Sequence, residues 1–547
     1  MQHTQHIRKT PEKTNSFFSG VFVLTLANVT VKIIGLFFKI PIAHILGDEG
    51  MGYFNAAYTI YTWLYMLSTA GFPVAISILV SKEVAKGEMA GAKRVGRISL
   101  FLLTAVGAFL TVVLLSFSSG IANLIGSPNA RYSIFLIAPT LLLVCISSAL
   151  RGYYQGYGSM SPTAISQIFE AAGKLIVGVF FGLYAHRKGY DLPLVAAFAI
   201  MGVTVGTLFS VAFLFVANPQ KTTGRHQVNK TQQNTSFRAS LANLLKIAVP
   251  ITVGSTVMSL SSVIDLGMIM RRLQIIGFSP ADAAALYGNY TTLVVPMFNL
   301  PSVFVNAIAY AIVPAISAAL AMQKREEANK LAEGAIGYTT LIAIPAALGI
   351  GAFSLPILST VFPLSSAKLA APYLTVISPG IVFICLLAIT NSILQANGHP
   401  RLPIISLLTG ATVKILSGYF LIGNPKVGML GAPIGTVLCY ASASLVNLLF
   451  VMRKTSVRLR FANTFLHPVW VSCIAVAASI SFDRLFSHMI PNLLRVLLVI
   501  LISATLYLAI AVKTKLIDLV EIRKIQLCDR FLRVLDRVHH KRQKQNW

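Results

Sequence analysis

The chain has 547 residues, of which 55% are hydrophobic and only 11% charged, with a mean hydropathy of +0.74. Soluble domains carry about 25% charged residues, and a chain of this length still has a large surface needing polar cover; a freely soluble protein is excluded and a bilayer is required. The formal net charge of +28, from 45 Lys and Arg against 17 Asp and Glu, is spread between apolar runs rather than gathered on one folded face, which argues against a nucleic-acid binder and fits the positive-inside rule of membrane loops.

A spanning helix needs roughly 20 mostly apolar residues. His3, His6, Arg8, Lys9 and Lys13 precede an apolar stretch too long for a signal-peptide core, so the start reads as a first transmembrane helix with a cytoplasmic tail. Apolar runs follow one another at 17–42, 53–80, 98–118, 131–150, 163–185, 193–217, 243–270, 286–314, 335–358, 372–395, 402–422, 430–452, 466–482 and 493–512. They predict an all-α polytopic membrane protein with about fourteen spans, the least certain boundaries being those of the seventh and eighth. With the N-terminus inside, the cytoplasmic segments hold 31 Lys and Arg and the opposite side nine, so both termini are expected in the cytoplasm of a multi-pass cell-membrane protein.

Residues 218–242, polar and without apolar periodicity, read as a flexible linker. The expected organisation is an N-lobe of six spans (1–217), this linker, a C-lobe of six (243–455), and a last pair (456–512) with a possible lipid-tail groove. Beyond it, 513–547 alternates apolar and basic residues, and reads either as an amphipathic helix on anionic lipids or as a plain basic anchor. Cys145, Cys385, Cys439 and Cys473 lie in apolar runs and, with Cys528, form no Cys-x-x-Cys pair, so they are expected to be small hydrophobes.

A long internal repeat supports the six-plus-six reading. Arg151 to Lys174 reads RGYYQGYGSMSPTAISQIFEAAGK and Asn391 to Lys414 reads NSILQANGHPRLPIISLLTGATVK. In each, Gln-x-x-Gly ends a span and a Lys follows 19 residues after the Gln: Gln155, Gly158 and Lys174, then Gln395, Gly398 and Lys414. An even number of spans per copy makes this a parallel repeat, the arrangement of a rocking alternating-access transporter. A fainter match sets Tyr53 and Asn55 beside Tyr287, Asn289 and Tyr290.

Ionisable residues at membrane depth are costly and mark cavities or pathways. The spans hold Lys32, Lys39, Lys174, Lys246 and Lys414 against Glu170 and Asp265, a net positive set that suits an anion such as a phosphate or diphosphate and disfavours an organic cation. Lys246 and Lys39 can snorkel, whereas Lys32 is mid-span. Glu170 and Lys174, four apart, are placed to pair. Asp265 is either a proton- or sodium-coupling carboxylate or a salt-bridge partner. Prolines 73, 250, 296, 301, 314, 345 and 356 mark broken helices; Pro296 and Pro301, with Asn299 between them, make the eighth span a candidate cavity wall beside Asn55 and the tyrosines of the second span. No P-loop, HExxH or catalytic triad is present, so no enzyme activity and no cofactor is expected. Gly47-Asp48-Glu49-Gly50 is too slight for a metal site.

Residues 36–87, LFFKIPIAHILGDEGMGYFNAAYTIYTWLYMLSTAGFPVAISILVSKEVAKG, with RGYYQGYGSMSPTAISQIFE at 151–170 and LQANGHPRLP at 394–403, closely resemble the polysaccharide-biosynthesis and stage V sporulation protein B branch of the multidrug/oligosaccharidyl-lipid/polysaccharide exporter superfamily. That branch includes Gram-positive flippases of lipid II, the undecaprenyl-diphosphate-linked peptidoglycan precursor. The resemblance implies two six-helix lobes around an alternating cavity, cationic residues that engage the diphosphate, a helix pair for the lipid tail, and coupling to membrane potential, a proton or sodium. It also implies, as partners, a polyprenyl-diphosphate-linked saccharide and cell-wall synthesis proteins; anionic membrane lipids are expected around the tail, no nucleic acid, and a monomer. Gram-negative-type lipid II flippases carry basic residues in their first, second and eighth spans, whereas here the second and eighth have none, which leaves Lys174 and Lys414 to supply the charge, or points to a different substrate of the class. Exporters of capsule, teichoic or spore polymers are the alternative within the fold, and a drug/cation antiporter fits less well.

Overall fold

The computed structural model describes residues 12–217, 237–457, 459–486 and 491–514. The tail beyond 514 and linker residues 218–236 lie outside the described residues. Within the described residues every regular element is helical: α1 (Glu12–Thr69), α2 (Phe72–Ala85), α3 (Met89–Ser116), α4 (Ser118–Leu124), α5 (Arg131–Ile137), α6 (Pro139–Gly156), α7 (Ser161–Arg187), α8 (Leu192–Val216), α9 (Phe237–Ile275), α10 (Pro280–Asn289), α11 (Val295–Ala321), α12 (Arg325–Ala352), α13 (Ser354–Ser359), α14 (Leu364–Ile377), α15 (Gly380–Ala396), α16 (Leu402–Ile422), α17 (Gly431–Lys454), α18 (His467–Phe486) and α19 (Asn492–Lys513). Residues 237–242, expected as linker, already belong to α9.

The chain packs as two compact units, Met1–Thr292 with Gly418–Met429, and Leu293–Ser417 with Leu430–Trp547. This division by packing differs in extent from the sequence repeat, because α9 and α10 are packed against α1 and α2 within the first unit.

Eleven described helical segments are long and apolar enough to span a membrane, or twelve if α14 and α15, bent by 51°, form one span. The fourteen expected are not reached for three reasons. The bent pair is one. The seventh run falls in α9, whose polar residues leave only Ser240–Val253 as a shorter apolar helix. The first and second runs both lie in the uninterrupted stretch Leu26–Ala85, which at 1.5 Å per residue is about three times the thickness of a hydrocarbon core. Gly47 divides it: its φ of 60° and ψ of −172° belong to a region that only glycine enters cheaply. A further break precedes α2, where Gly71 lies so close to α9 that a side chain would meet the Ala248 carbonyl, and its N–H donates to Thr252 Oγ1 at 3.1 Å. Pro73 follows in the first turn of α2, and Pro296 in the first turn of α11. Pro73 therefore does not interrupt a helix interior, contrary to expectation, since first-turn amides have no intrahelical acceptor, whereas Pro296 sits within the continuous helical stretch Pro280–Ala321. A π-helical turn, Tyr290–Val294, precedes α11, and Pro301 and Pro314 do lie within it.

The repeat is visible in local backbone detail. α3 and α12 each have 28 residues. They start from Glu88 (φ −86°, ψ 72°) and Lys324 (φ −87°, ψ 66°) and end at Phe117 (φ −104°, ψ 13°) and Phe353 (φ −106°, ψ 27°), residues 236 apart in each case. A short helix, then a broken span, then two long helices follow in both: α4 to α8 and α13 to α17. The predicted Gln-x-x-Gly turns are paired helix C-caps. Gly158 (φ 77°) and Gly398 (φ 78°) donate to the carbonyls of Gln155 and Gln395, while Ser159 and His399 donate to Tyr154 and Leu394, the bonding of a Schellman motif.

The same motif ends the preceding helix in both copies, at Gly87 (φ 79°) and Gln323 (φ 58°). Gly87 and Glu88 donate to Val84 and Glu83, and Gln323 and Lys324 to Leu320 and Ala319. Gln323 is the one non-glycine at positive φ among the described residues, a conformation that costs an L-residue about 1–2 kcal/mol.

In the second unit, the C-terminal pair α18 and α19 packs on α12. Val471, Ala475, Tyr507 and Ala511 are buried together with Leu341 at their edge, and Arg495 meets Asp483 at 3.2 Å across the pair. Pro345 lies inside α12 and has no amide hydrogen to give the carbonyl four residues back. That carbonyl belongs to Leu341, and Tyr507 Oη donates to it at 3.0 Å. The proline and the docking tyrosine are therefore one device.

Two outcomes follow from these contacts. Gln323→Gly is expected to raise stability by about 1 kcal/mol by removing the left-handed penalty, seen as a higher melting temperature of the detergent-purified protein, with Gly87→Gln lowering it. Tyr507→Phe is expected to cost about 1–3 kcal/mol by orphaning a buried carbonyl. Adding Pro345→Ala should recover much of that loss, and a double variant no better than Tyr507→Phe alone would refute the pairing.

Candidate functional site

Glycines set the geometry of the first unit's most polar region. α7 and α8 touch backbone to backbone: a side-chain carbon on Gly206 would lie 2.5 Å from the Glu170 carbonyl oxygen and 2.6 Å from the Lys174 amide, and one on Gly202 would run into the Gly178 backbone. Small residues permit such contact between membrane helices. Phe38 of α1 seats its ring over Gly178, 2.8 Å from where a β-carbon would be, and is buried at 2% exposure.

Lys174, one turn before Gly178, extends over the faces of Phe38 (4.9 Å to the ring centroid) and Tyr58 (4.4 Å). A cation within about 6 Å of a ring centroid is held by the ring quadrupole. Phe38 precedes the Gly47 break and Tyr58 follows it, so both arms of α1 converge on this lysine. Ring pairs tie the arms together, Phe38 to Phe54 at 5.9 Å and Phe54 to Tyr58 at 6.1 Å, and continue as Tyr58 to Tyr61 at 5.8 Å and Tyr61 to Tyr65 at 6.2 Å. Lys39, half-buried, has Lys174 as its charged neighbour.

The four-residue spacing predicted an ion pair between Glu170 and Lys174; Glu170 instead meets Arg151 at 2.8 Å. Arg151, at the end of α6, also donates through Nε to Ser166 Oγ at 3.0 Å and through Nη2 to Ser210 Oγ at 2.9 Å, so one guanidinium clasps α6, α7 and α8. The spacing of Arg151 from Ser166 and Glu170 is the sequence signal for this junction. The second copy puts neutral groups at this junction. Asn391 stands 240 residues after Arg151 and Ser406 the same distance after Ser166. The fully buried Asn447 of α17 accepts from Ser406 Oγ at 2.6 Å and donates to Thr390 Oγ1 at 3.2 Å and to Asn391.

The remaining predicted residues are distributed as follows. Lys32 is exposed on α1, seven residues before Lys39 and so on the same helical face. Asn55 is buried at 7% exposure and donates to Thr291 Oγ1 at 3.0 Å and Thr292 Oγ1 at 2.7 Å, a bridge between α1 and the π-turn. Asn299 donates to the Val295 carbonyl at 2.9 Å within α11. Asp265 on α9 and Lys414 on α16 are half-buried, and Lys246 is exposed. Glu49 accepts from Tyr53 Oη at 2.5 Å, which in turn accepts from Asn129 at 3.1 Å. Among the described residues no three His, Cys, Asp or Glu side chains converge as a metal site. Cys145 and Cys385 are buried, while Cys473 is exposed on α18.

The second unit holds an apolar cavity of about 580 Å³ between α12, α15, α17 and the segment leading into α18, lined by Leu348, Phe383, Leu448, Met452, Phe461 and Phe465 among others. Its volume falls in the range of roughly 300–1,000 Å³ typical of ligand pockets.

Residues 17–320 match the family model described as polysaccharide biosynthesis protein, and 250–420 match the MatE model. Stage V sporulation protein B of Bacillus subtilis is 24% identical over 94% of this chain and 99% of its own length. The lipid II flippase MurJ of the same organism is 24% identical over 85% of this chain and 88% of its own. Among solved structures, the inward closed conformation of lipid II flippase MurJ aligns with a TM-score of 0.68 at 16% identity, covering 90% of this chain and 99% of that one. An inward-facing multidrug resistance MATE transporter aligns at 0.64 and 17%, covering 78% and 94%. The fold is thus that of these two-lobe transporters, and the chain is a multi-pass membrane protein that belongs to the polysaccharide biosynthesis protein family, in the stage V sporulation protein B branch that its sequence resembles.

Proposed function

We propose that the protein is a flippase that moves an undecaprenyl-diphosphate-linked glycan precursor, lipid II for peptidoglycan synthesis, across the cytoplasmic membrane by alternating access between the repeat-defined lobes 1–217 and 243–455. The observation that carries this reading is that Lys174 lies over the rings of Phe38 and Tyr58, with Lys39 next to Phe38 on α1, while Glu170 pairs with Arg151. Two ammonium groups in a half-buried, aromatic-walled site repel each other, and a diphosphate relieves that repulsion. Lys32, on the same face of α1 as Lys39, extends the cationic track, and Lys414 is the counterpart of Lys174 in the second copy. The rings of Phe38 and Tyr58 hold Lys174 extended, so the charge is presented rather than folded away.

The apolar cavity beside the 456–512 segment suits the polyprenyl chain, whose many methyl groups gain by leaving exposed surroundings for a dry wall. Asp265 is the carboxylate assigned to coupling with a proton or sodium, with Glu170 held in its ion pair with Arg151 and the membrane potential acting on the anionic headgroup. Both termini are cytoplasmic in this scheme and the basic tail lies on anionic lipid. A spore, teichoic or capsule precursor on the same lipid is the second reading, favoured by the longer match to stage V sporulation protein B.

Lys174→Gln and Lys39→Gln are each expected to weaken binding of undecaprenyl diphosphate about tenfold or more, the loss of one charge-assisted hydrogen bond, measured by native mass spectrometry on the purified protein. Retention of undecaprenol, which has the same tail and no phosphate, should not change. Undiminished diphosphate binding in both variants would exclude the pair as its anchor.

A further inference from the structure

The face of α3 that no other helix covers among the described residues has an ordered composition. Lys93 and Arg97 are exposed near its start, and the same face continues as Phe101 (71% exposed), Phe109 (67%) and Val112 (60%). In a membrane protein such an apolar stripe faces lipid tails, so the two cations stand where headgroups lie. Beside them a groove of about 320 Å³ opens between α3 and α6, lined by Lys93, Gly96, Arg97, Leu100, Leu150 and Tyr153 together with Ala149. Its shape is set by Gly96: a side chain there would lie 2.7 Å from the Tyr153 ring, so glycine lets that ring form the groove wall. Tyr153 is fixed by Tyr157, with ring centroids 5.0 Å apart and hydroxyls 3.2 Å apart. No carboxylate lines the groove among the described residues; Glu83, nearby on α2, has Lys86 at 3.8 Å.

Like charges four residues apart on a helix repel, and an anion set between them turns that repulsion into attraction. We infer that this groove binds the phosphodiester of an anionic glycerophospholipid, with Lys93 and Arg97 on the phosphate and one acyl chain along Leu100, Leu150 and the Tyr153 ring. A free phosphate would use the cations but leave the apolar wall unoccupied; the continuity of that wall with the lipid-facing stripe selects the lipid. The site is separate from the Lys39 and Lys174 pair and does not depend on the transport reading.

The test uses the purified full-length protein in neutral detergent, titrated with dioleoyl phosphatidylglycerol or dioleoyl phosphatidylcholine and examined by native mass spectrometry. The wild type should retain phosphatidylglycerol preferentially. At about fivefold per cation, Lys93→Gln with Arg97→Gln should weaken that retention about 25-fold, leave phosphatidylcholine retention unchanged, and preserve the lipid-free melting temperature. Leu150→Trp, which fills the groove without altering charge, should also lower it. The inference is overturned if the wild type shows no preference, if Arg187→Gln with Lys188→Gln, an equal loss of charge at the end of α7, has the same effect, or if inorganic phosphate binds as tightly and Leu150→Trp changes nothing.

Discussion

The backbone contact between α7 and α8 is the constraint on which the first unit's polar region depends. Gly202 and Gly206 bring α8 against the peptide groups of Glu170, Lys174 and Gly178, at a separation no side chain would allow. In lipid, helices gain nothing from merely hiding apolar surface from one another, so such close packing and the polar bonds it permits hold them together. Once the two backbones touch, Ser210 of α8 and Glu170 of α7 both reach the Arg151 guanidinium. Glu170 is thereby committed, and Lys174 is left to the aromatic rings of α1.

The two copies of the repeat share their scaffold and differ in charge. The lengths and cap dihedrals of α3 and α12 and the left-handed caps at Gly158 and Gly398 agree between them, yet the three-helix junction is ionic in the first copy and built of amides and hydroxyls in the second. An Asn network can fix helix register without placing charge in the membrane, where charge is expensive. Ionic character has been kept in the first copy, beside the lysine pair, and the second copy instead carries the apolar cavity.

Much of this was legible in the sequence because it rests on periodicities that the bilayer enforces. The helical class, the two Gln-x-x-Gly turns and the apolar runs follow from span length and from the conformational freedom of glycine. The span at 402–422 coincides with α16. What escaped is governed by side chains meeting across helices distant in sequence. Glu170 has Lys174 four residues away and Arg151 nineteen away, and only the approach of α6 to α7 decides between them. Pro73 looked like an interior break because a proline's effect depends on its place in the helix, and the start of α2 was blurred by Gly71. The two threonines that accept from the Asn55 amide lie 236 and 237 residues further along the chain, beyond what local spacing reveals.

The central claim is that a lysine pair held by this packing serves the translocation of a diphosphate lipid. It is tested most directly by reconstituting the protein into vesicles carrying fluorescent lipid II in both leaflets and adding a membrane-impermeant quencher outside. Wild-type vesicles should let nearly all the fluorescence be quenched with time, while vesicles holding the folded Lys39→Gln, Lys174→Gln double variant should stop at the outer-leaflet half, as protein-free vesicles do. Equal quenching by the double variant and the wild type would contradict the account.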